Sequence, residues 1–280
     1  MAEEYTNVQE EECTHDCSSC GASCSERAPR ANLEEPMAGT VVKKMIGVVS
    51  GKGGVGKSMV TSLLSVAASR EGKKVGILDA DITGPSIPKI FGREVMATAK
   101  DENTLNPVIT KTGLSMMSVN NLLPNSEDPV LWRGPILAGA VKQFWTGVDW
   151  GELDYLFVDM PPGTGDVPLT VFQSLPLTGI IIVTTPQDLV SMIVAKAVRM
   201  AEQMAVPILG IVENMSYMEC PDCGKKLYPF GEGRAEELAK KYSISRVAHL
   251  PILPELASRS DAGDIENVPV DVTNAVKDLL

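Results

Sequence analysis

The sequence predicts an α/β fold in which a mostly parallel, twisted sheet carries helices on both faces. Three observations predict it. From Lys44 onward, short apolar runs alternate with longer helix-patterned segments. Each run is nearly continuous in apolar or small residues, the pattern of parallel strands buried on both faces. One junction between run and helix, GKGGVGKS at Gly51–Ser58, reads as a glycine-rich phosphate-binding loop. Repeated strand–helix–strand units then require right-handed crossovers and a parallel sheet.

The strands are expected at MIGVVS (45–50), VGILDA (75–80), YLFVDM (155–160), GIIIVTT (179–185) and PILGIVENM (207–215), with a weaker one at RVAHLP (246–251). The main helices are expected at SMVTSLLSVAASREG (58–72) and DLVSMIVAKAVRMAEQM (188–204). The second starts on a capping aspartate, Asp188, and stops before Pro207. Residues 104–122 read as two short strands forming a hairpin at the sheet edge, and VDVTNAVKDLL as a short terminal helix. Residues 1–40 show no apolar periodicity and are expected to form a flexible acidic tail ahead of a single domain at 41–280.

The 280 residues suffice for one large domain, and 44% hydrophobic content suits a soluble one. The net charge is −11, and residues 1–36 hold nine acids against two bases, so −7 of it lies in the tail. A near-neutral body with an acidic tail offers little to a phosphate backbone, so no nucleic-acid partner is expected. No window is apolar enough for a membrane span, and the start MAEEYTNVQEEEC resembles neither a secretory nor a transit signal. A cytoplasmic protein without a membrane partner is the expectation. All six cysteines fall in two groups, Cys13, Cys17, Cys20 and Cys24, then Cys220 and Cys223, which in that compartment points to metal or redox chemistry over disulfides.

GKGGVGKS matches G-x-x-x-x-G-K-[ST] in full, between a strand and a helix. Gly51, Gly53, Gly54, Val55 and Gly56 supply a backbone that curls around phosphate. The helix start adds its partial positive charge, Lys57 reaches the β- and γ-phosphates, and Ser58 ligates Mg²⁺. Met59 stands where a Ser or Thr often follows, but its backbone N–H still donates. LDAD (78–81) and VDMPPGTGD (158–166) each end a strand on carboxylates, and ligands of open parallel sheets bind at the strands' carboxyl ends. Asp159 is the expected Mg²⁺ carboxylate, and PPGTG suits a loop sensing the γ-phosphate.

GKGGVGKS with its second lysine, Lys52, resembles the deviant Walker A motif of P-loop ATPases related to MinD, ParA and the nitrogenase iron protein. LDADITGPSIP, LWRGP, DYLFVDMPPGTGD, TTPQD, ENMSYMECPDCGKKLYPFGEG and LPILPE, in that order, resemble the Mrp-type iron–sulfur cluster carrier ATPases. The resemblance implies a homodimer in which Lys52 contacts the nucleotide of the other subunit. It implies that Asp81 orients or activates the attacking water, that Asp79 supports the site, and that Asn214 with the Pro251 segment contacts adenine.

ECPDCG places Cys220 and Cys223 on a polar loop as half of a four-thiolate site. A two-fold dimer supplies the other half. Spacing alone serves a zinc knuckle and an iron–sulfur cluster equally, and a thioredoxin-like pair poorly, since that motif usually opens a helix. The family resemblance selects a bridging [4Fe–4S] cluster, with zinc as the competing metal. The tail CTHDCSSCGASC could hold a second cluster, or zinc with His15 as a ligand, or stay unstructured.

The expected function is therefore an ATP-dependent carrier with slow, switch-like hydrolysis, serving apo iron–sulfur proteins. The alternative is a MinD- or ParA-like positioning ATPase with structural zinc. Against it, NAVKDLL lacks the basic amphipathic character of a membrane-binding helix, and the CPDCG pair goes unexplained. A nitrogenase-type reductase would place its cysteines near the switch loops.

Overall fold

The computed structural model describes residues 33–82, 84–124, 134–187 and 190–280. The tail cysteines Cys13, Cys17, Cys20 and Cys24, His15, the capping Asp188 and positions 131–133 of LWRGP lie outside the described residues.

Eight strands form one sheet: β1 (Val41–Ser50), β2 (Val75–Asp79), β3 (Val108–Ile109), β4 (Ser115–Met117), β5 (Glu152–Asp159), β6 (Gly179–Thr184), β7 (Ile208–Glu213) and β10 (Val247–His249). Their order is β10-β7-β6-β1-β5-β2-β4-β3, parallel throughout except for the β3–β4 hairpin at the edge. A separate two-stranded ribbon pairs β8 (Met218–Glu219) with β9 (Lys226–Leu227). The mostly parallel sheet, all six expected runs and the edge hairpin are thus present.

The continuous apolar runs reflect two cores, one on each face. Met45 and Val49 of β1, Leu78 of β2, Leu156 and Val158 of β5, and Ile180 and Ile182 of β6 point into one core. Their neighbours Ile46, Val48, Ile77, Phe157, Ile181 and Val183 point into the other, as the two-residue side-chain period of a strand requires. The first core is roofed by α3 (Gly134–Thr146), α4 (Asp166–Ser174), α5 (Val190–Gln203) and α6 (Ala235–Lys241). The second is roofed by α1 (Lys57–Arg70), α2 (Ile87–Ile90), α7 (Pro254–Asp261) and α8 (Val270–Lys277). No helix among the described residues is long and apolar enough to cross a membrane.

The helix after β1 covers one face and the helix after β5 covers the other. Their crossovers therefore diverge at the carboxyl ends of two adjacent strands, where a parallel sheet opens its ligand crevice.

The body also begins earlier than residue 41. The Glu34 N–H donates to the Ser174 carbonyl (2.8 Å), the Trp145 indole N–H donates to the Glu34 carbonyl (2.9 Å), and Lys142 pairs with the Glu34 carboxylate (2.8 Å). These bonds fasten residue 34 to α3 and to the end of α4.

Candidate functional site

The loop between β1 and α1 is shaped by glycine. Gly54 and Gly56 have φ of 80° and 82°, left-handed conformations that favour glycine. Gly56 is also pressed against another segment: a Cβ there would stand 2.2 Å from Asn214 Nδ2. Asn214, just past the end of β7, donates that amide to the Val55 carbonyl (2.9 Å) and so fixes the loop from two strands away. Gly56 is the N-cap of α1 and no side chain caps the helix, leaving its start to a ligand.

Four ionisable groups converge below the loop. Lys57 is 6% exposed, its ammonium 2.8 Å from Asp159 Oδ1 and 3.5 Å from Asp81 Oδ2. Burial, the largest single influence, pulls the Lys57 pKa down; the charges of Asp159, Asp81 and Asp79 together outweigh it and hold it above its ordinary value. Asp79 faces Asp159 in register across β2 and β5 and is completely buried. Burial first, and the Asp159 charge second, push its pKa up to about 8. Asp79 accepts hydrogen bonds from the Ser118 hydroxyl (3.0 Å) and the Asp81 N–H (3.2 Å), which hold it in place behind the site.

Asp159 is held on two further sides. Ser58 Oγ donates to its Oδ2 at 2.6 Å, and Thr61 Oγ1 donates to its Oδ1 at 2.8 Å. The hydroxyl and carboxylate expected to share Mg²⁺ therefore already touch, and together with the left-handed glycine loop they fit a Mg–nucleotide. The loop after β5 is tied to the same place, since the Gly163 N–H donates to the Ser50 carbonyl (2.8 Å). Lys52 donates to Gln187 Oε1 of its own chain, from the loop after β6. Met59 packs beside the second core, and its sulfur lies 3.5 Å from the Ser260 hydroxyl.

From Asn214 the chain runs directly to the cysteines. Glu213, 1% exposed, accepts from the Ser216 hydroxyl (2.7 Å) and the Ala235 N–H (3.1 Å) and lies 3.3 Å from His249 Nδ1. Burial raises the Glu213 pKa, but its bonds to His249, Ser216 and Ala235 prevail and hold it low. His249 in turn is raised, chiefly by its bond to Glu213. Pro251 is set against the same segment, because the Ser216 N–H donates to the Leu250 carbonyl and the Ile252 N–H to the Tyr217 carbonyl.

Six residues past Asn214, the β8–β9 turn forms a tight knuckle. The Cys220 N–H donates to the Lys225 carbonyl (3.0 Å), and the Gly224 N–H donates to the Cys220 carbonyl (2.9 Å). Both cysteines are free thiols, Cys220 half-buried and Cys223 exposed. Backbone N–H groups of Asp222 and Cys223, then the Cys223 side chain, draw the Cys220 pKa below its ordinary value, favouring the thiolate that binds metal. Among the described residues no cluster of three or more His, Cys, Asp or Glu side chains is placed to hold a metal ion. The knuckle offers two thiols.

Comparison with known proteins decides the family. Residues 41–279 match the ParA profile described as the NUBPL iron-transfer P-loop NTPase. The chain belongs to that family. A relative from Saccharolobus solfataricus is 44% identical over 241 residues, covering 86% of this chain and 81% of its own length, and is named an iron–sulfur cluster carrier protein. A relative of the same name from Methanococcus maripaludis is 41% identical and covers 90% of both chains. A solved structure from Archaeoglobus fulgidus, described as a nucleotide-binding protein in complex with ADP, is 49% identical with a TM-score of 0.74, over 81% of this chain and 89% of its own. The cell-division ATPase MinD of Pyrococcus furiosus shares the fold at 20% identity and a TM-score of 0.57, covering 85% of this chain and 96% of its own.

Within this P-loop NTPase, the structure gathers Lys57, Ser58, Asp79, Asp81 and Asp159 into one cluster. It places Asn214 against the loop, and Pro251 beside the Ser216–Tyr217 segment that follows Asn214. Thr61 was not expected from the motif. It lies four residues after Lys57 and three after Ser58, hence on the same helix face, and that spacing is the signal that points to it. Thr61→Val keeps the shape and removes the hydroxyl bond to a charged acceptor, worth about 2 kcal/mol. Hydrolysis at limiting Mg²⁺ is expected to fall about tenfold or more, with Thr61→Ser restoring most of it. Identical Mg²⁺ titrations for Thr61→Val and the parent would show that Asp159 needs no such support.

Proposed function

We propose that this NTPase is an ATP-dependent carrier that holds a [4Fe–4S] cluster between two copies of the chain and passes it to apo-proteins. The observation that carries the reading is the two-thiol knuckle, with Cys223 exposed and Cys220 half-buried, six residues from an asparagine bonded to the phosphate loop. A two-thiol site needs two more thiolates, and a two-fold axis supplies them. Free thiols with one lowered pKa suit a reducing compartment such as the cytoplasm.

ATP and Mg²⁺, when bound, supply the phosphoryl group and the charge that organises it. Lys57 leaves its carboxylate partners for the β- and γ-phosphates, and Ser58 with Asp159 holds the metal. Asp81, beside Lys57 at the mouth of the site, orients the attacking water. Asn214 senses the occupied loop through Val55, near the adenine, with Pro251 beside the segment that follows it. Movement at Asn214 reaches Cys220 through a segment pinned by Glu213, Ser216 and His249, so nucleotide state and thiol geometry are linked mechanically. Lys52 is parked on Gln187 in the single chain and is released to act on the partner's nucleotide.

Mixing two inactive variants tests this division of labour. Asp81→Asn is expected to bind ATP and turn it over poorly, and Lys52→Ala to bind ATP as a monomer and fail to hydrolyse it. If Lys52 works in trans and Asp81 in cis, a mixed dimer holds one intact site of two, and part of the activity returns. Heterodimers verified by mass that stay inactive would sink the trans assignment. The ultraviolet–visible spectrum with the iron and sulfide content of protein purified without oxygen tests the cargo.

A further inference from the structure

Every residue from 221 to 234 is exposed, although the segment contains Leu227, Tyr228 and Phe230. These three are 40%, 46% and 42% exposed, and they cluster within four positions of one another on the arm that carries the cysteines. Leu227 ends β9 opposite Met218, and the Gly231 N–H closes a turn on the Tyr228 carbonyl that presents Phe230 at its corner. Lys226 lies over the Tyr217 ring, 3.9 Å from its centre, and stiffens the base of the ribbon. A two-stranded ribbon standing alone in water is marginal, and large apolar side chains gathered on its outer arm mark a contact surface.

We propose that Leu227, Tyr228 and Phe230 form an apolar collar through which two copies of this chain associate around their Cys220–Cys223 pairs. The inference rests on the carrier reading above and names the surface that makes its dimer. Two observations favour a second copy as the occupant. The knuckle offers two thiols where four are needed, so the same knuckle of another chain must come to this place, bringing its own apolar arm. Self-association also meets no net charge: Glu219, Asp222 and Glu232 on this stretch are balanced by Lys225, Lys226 and Arg234. The collar would also keep water and chelators from the bridging thiolates, as the apolar shell around a metal site does.

The test uses the full chain with Cys13, Cys17, Cys20 and Cys24 replaced by serine, so that the tail offers no thiolates, loaded with zinc, which also prefers four thiolates and does not depend on the identity of the cargo. Sedimentation equilibrium compares the parent with Leu227→Ser/Tyr228→Ser/Phe230→Ser, and with Tyr228→Phe/Phe230→Leu, which keeps the surface apolar. The triple serine variant is expected to dimerise about tenfold more weakly or worse and to lose zinc to a chelator correspondingly faster. The apolar variant should behave as the parent, and ATP binding should be the same in all three. An unchanged dimer constant and chelator rate in the serine variant would overturn the proposal. So would an unchanged dimer whose cluster no longer reaches an apo-protein, because the collar would then be the client's docking surface. Failure of the carrier reading shows elsewhere, as a parent chain that holds no iron when purified without oxygen, while the zinc comparison still decides the collar.

Discussion

Lys57→Ala is expected to abolish useful nucleotide binding and, in the same step, to destabilise the empty protein. Its ammonium is 2.8 Å from Asp159 and 3.5 Å from Asp81, with completely buried Asp79 behind. Removing one partner from a buried ion pair leaves uncompensated charge and costs about 3–5 kcal/mol. Losing the cation that would meet the phosphates costs about 3 kcal/mol of affinity, roughly a hundredfold. Lys57→Met, which keeps the volume, should be almost as damaging, because charge and not packing is what is lost.

The pH dependence carries its own signature. The folded-state pKa of Asp79 is raised to about 8, above its ordinary 3.8, so the folded protein holds a proton there that the unfolded chain releases. Stability from this group therefore falls as pH rises from about 4 to about 8. Without Lys57, whose charge lowers the Asp79 pKa, that carboxyl holds its proton still more tightly, and the loss of stability continues above pH 8. Denaturant titrations at pH 5 and pH 9 should show Lys57→Ala losing more stability at the higher pH. Equal losses at both would mean that the carboxylates do not depend on Lys57 for compensation.

The strands were legible because burial on both faces leaves no room for polar residues, so Ile180, Ile181, Ile182 and Val183 announce a central strand without reference to anything distant. Several helices were not among those expected, and three of them carry a proline. Pro135, Pro168 and Pro254 each sit in the first turn of their helix (α3, α4 and α7), where a missing N–H costs nothing. The site divides the same way. Lys57, Ser58 and Asp159 follow from a motif whose chemistry is local. Ser118 on Asp79, Gln187 on Lys52 and Glu213 between Ala235 and His249 are single polar residues whose roles arise only when distant segments meet. Residue 34 belongs to this class too, because nothing in AAs 33–40 signals the bonds that Glu34 makes to Ser174, Trp145 and Lys142.

That anchoring sets the design of the second large-effect experiment, deletion of the N-terminal segment. Truncation should remove residues 1–32 and spare Glu34, so that loss of its bonds to α3 and α4 does not confuse the outcome. Purified without oxygen, the truncated chain is expected to be brown and dimeric, with about four iron atoms per dimer, the content of one [4Fe–4S] cluster. Cys220→Ser or Cys223→Ser in that background should remove the colour, the iron and the transfer to an apo-protein. A serine hydroxyl does not replace a thiolate toward iron, and among the described residues no third ligand stands by to rescue the site. ATP binding should survive, because the contacts proposed for it lie on the loop after β1 and the ends of β2 and β5, and Asn214 reaches that loop with its own side chain. The two losses should thus separate cleanly: cysteine variants that bind ATP and carry no cluster, against Lys57→Ala, which keeps its thiols and loses the nucleotide. A colourless truncated protein that holds zinc and still supports function would overturn the carrier reading and make the knuckle a structural clasp.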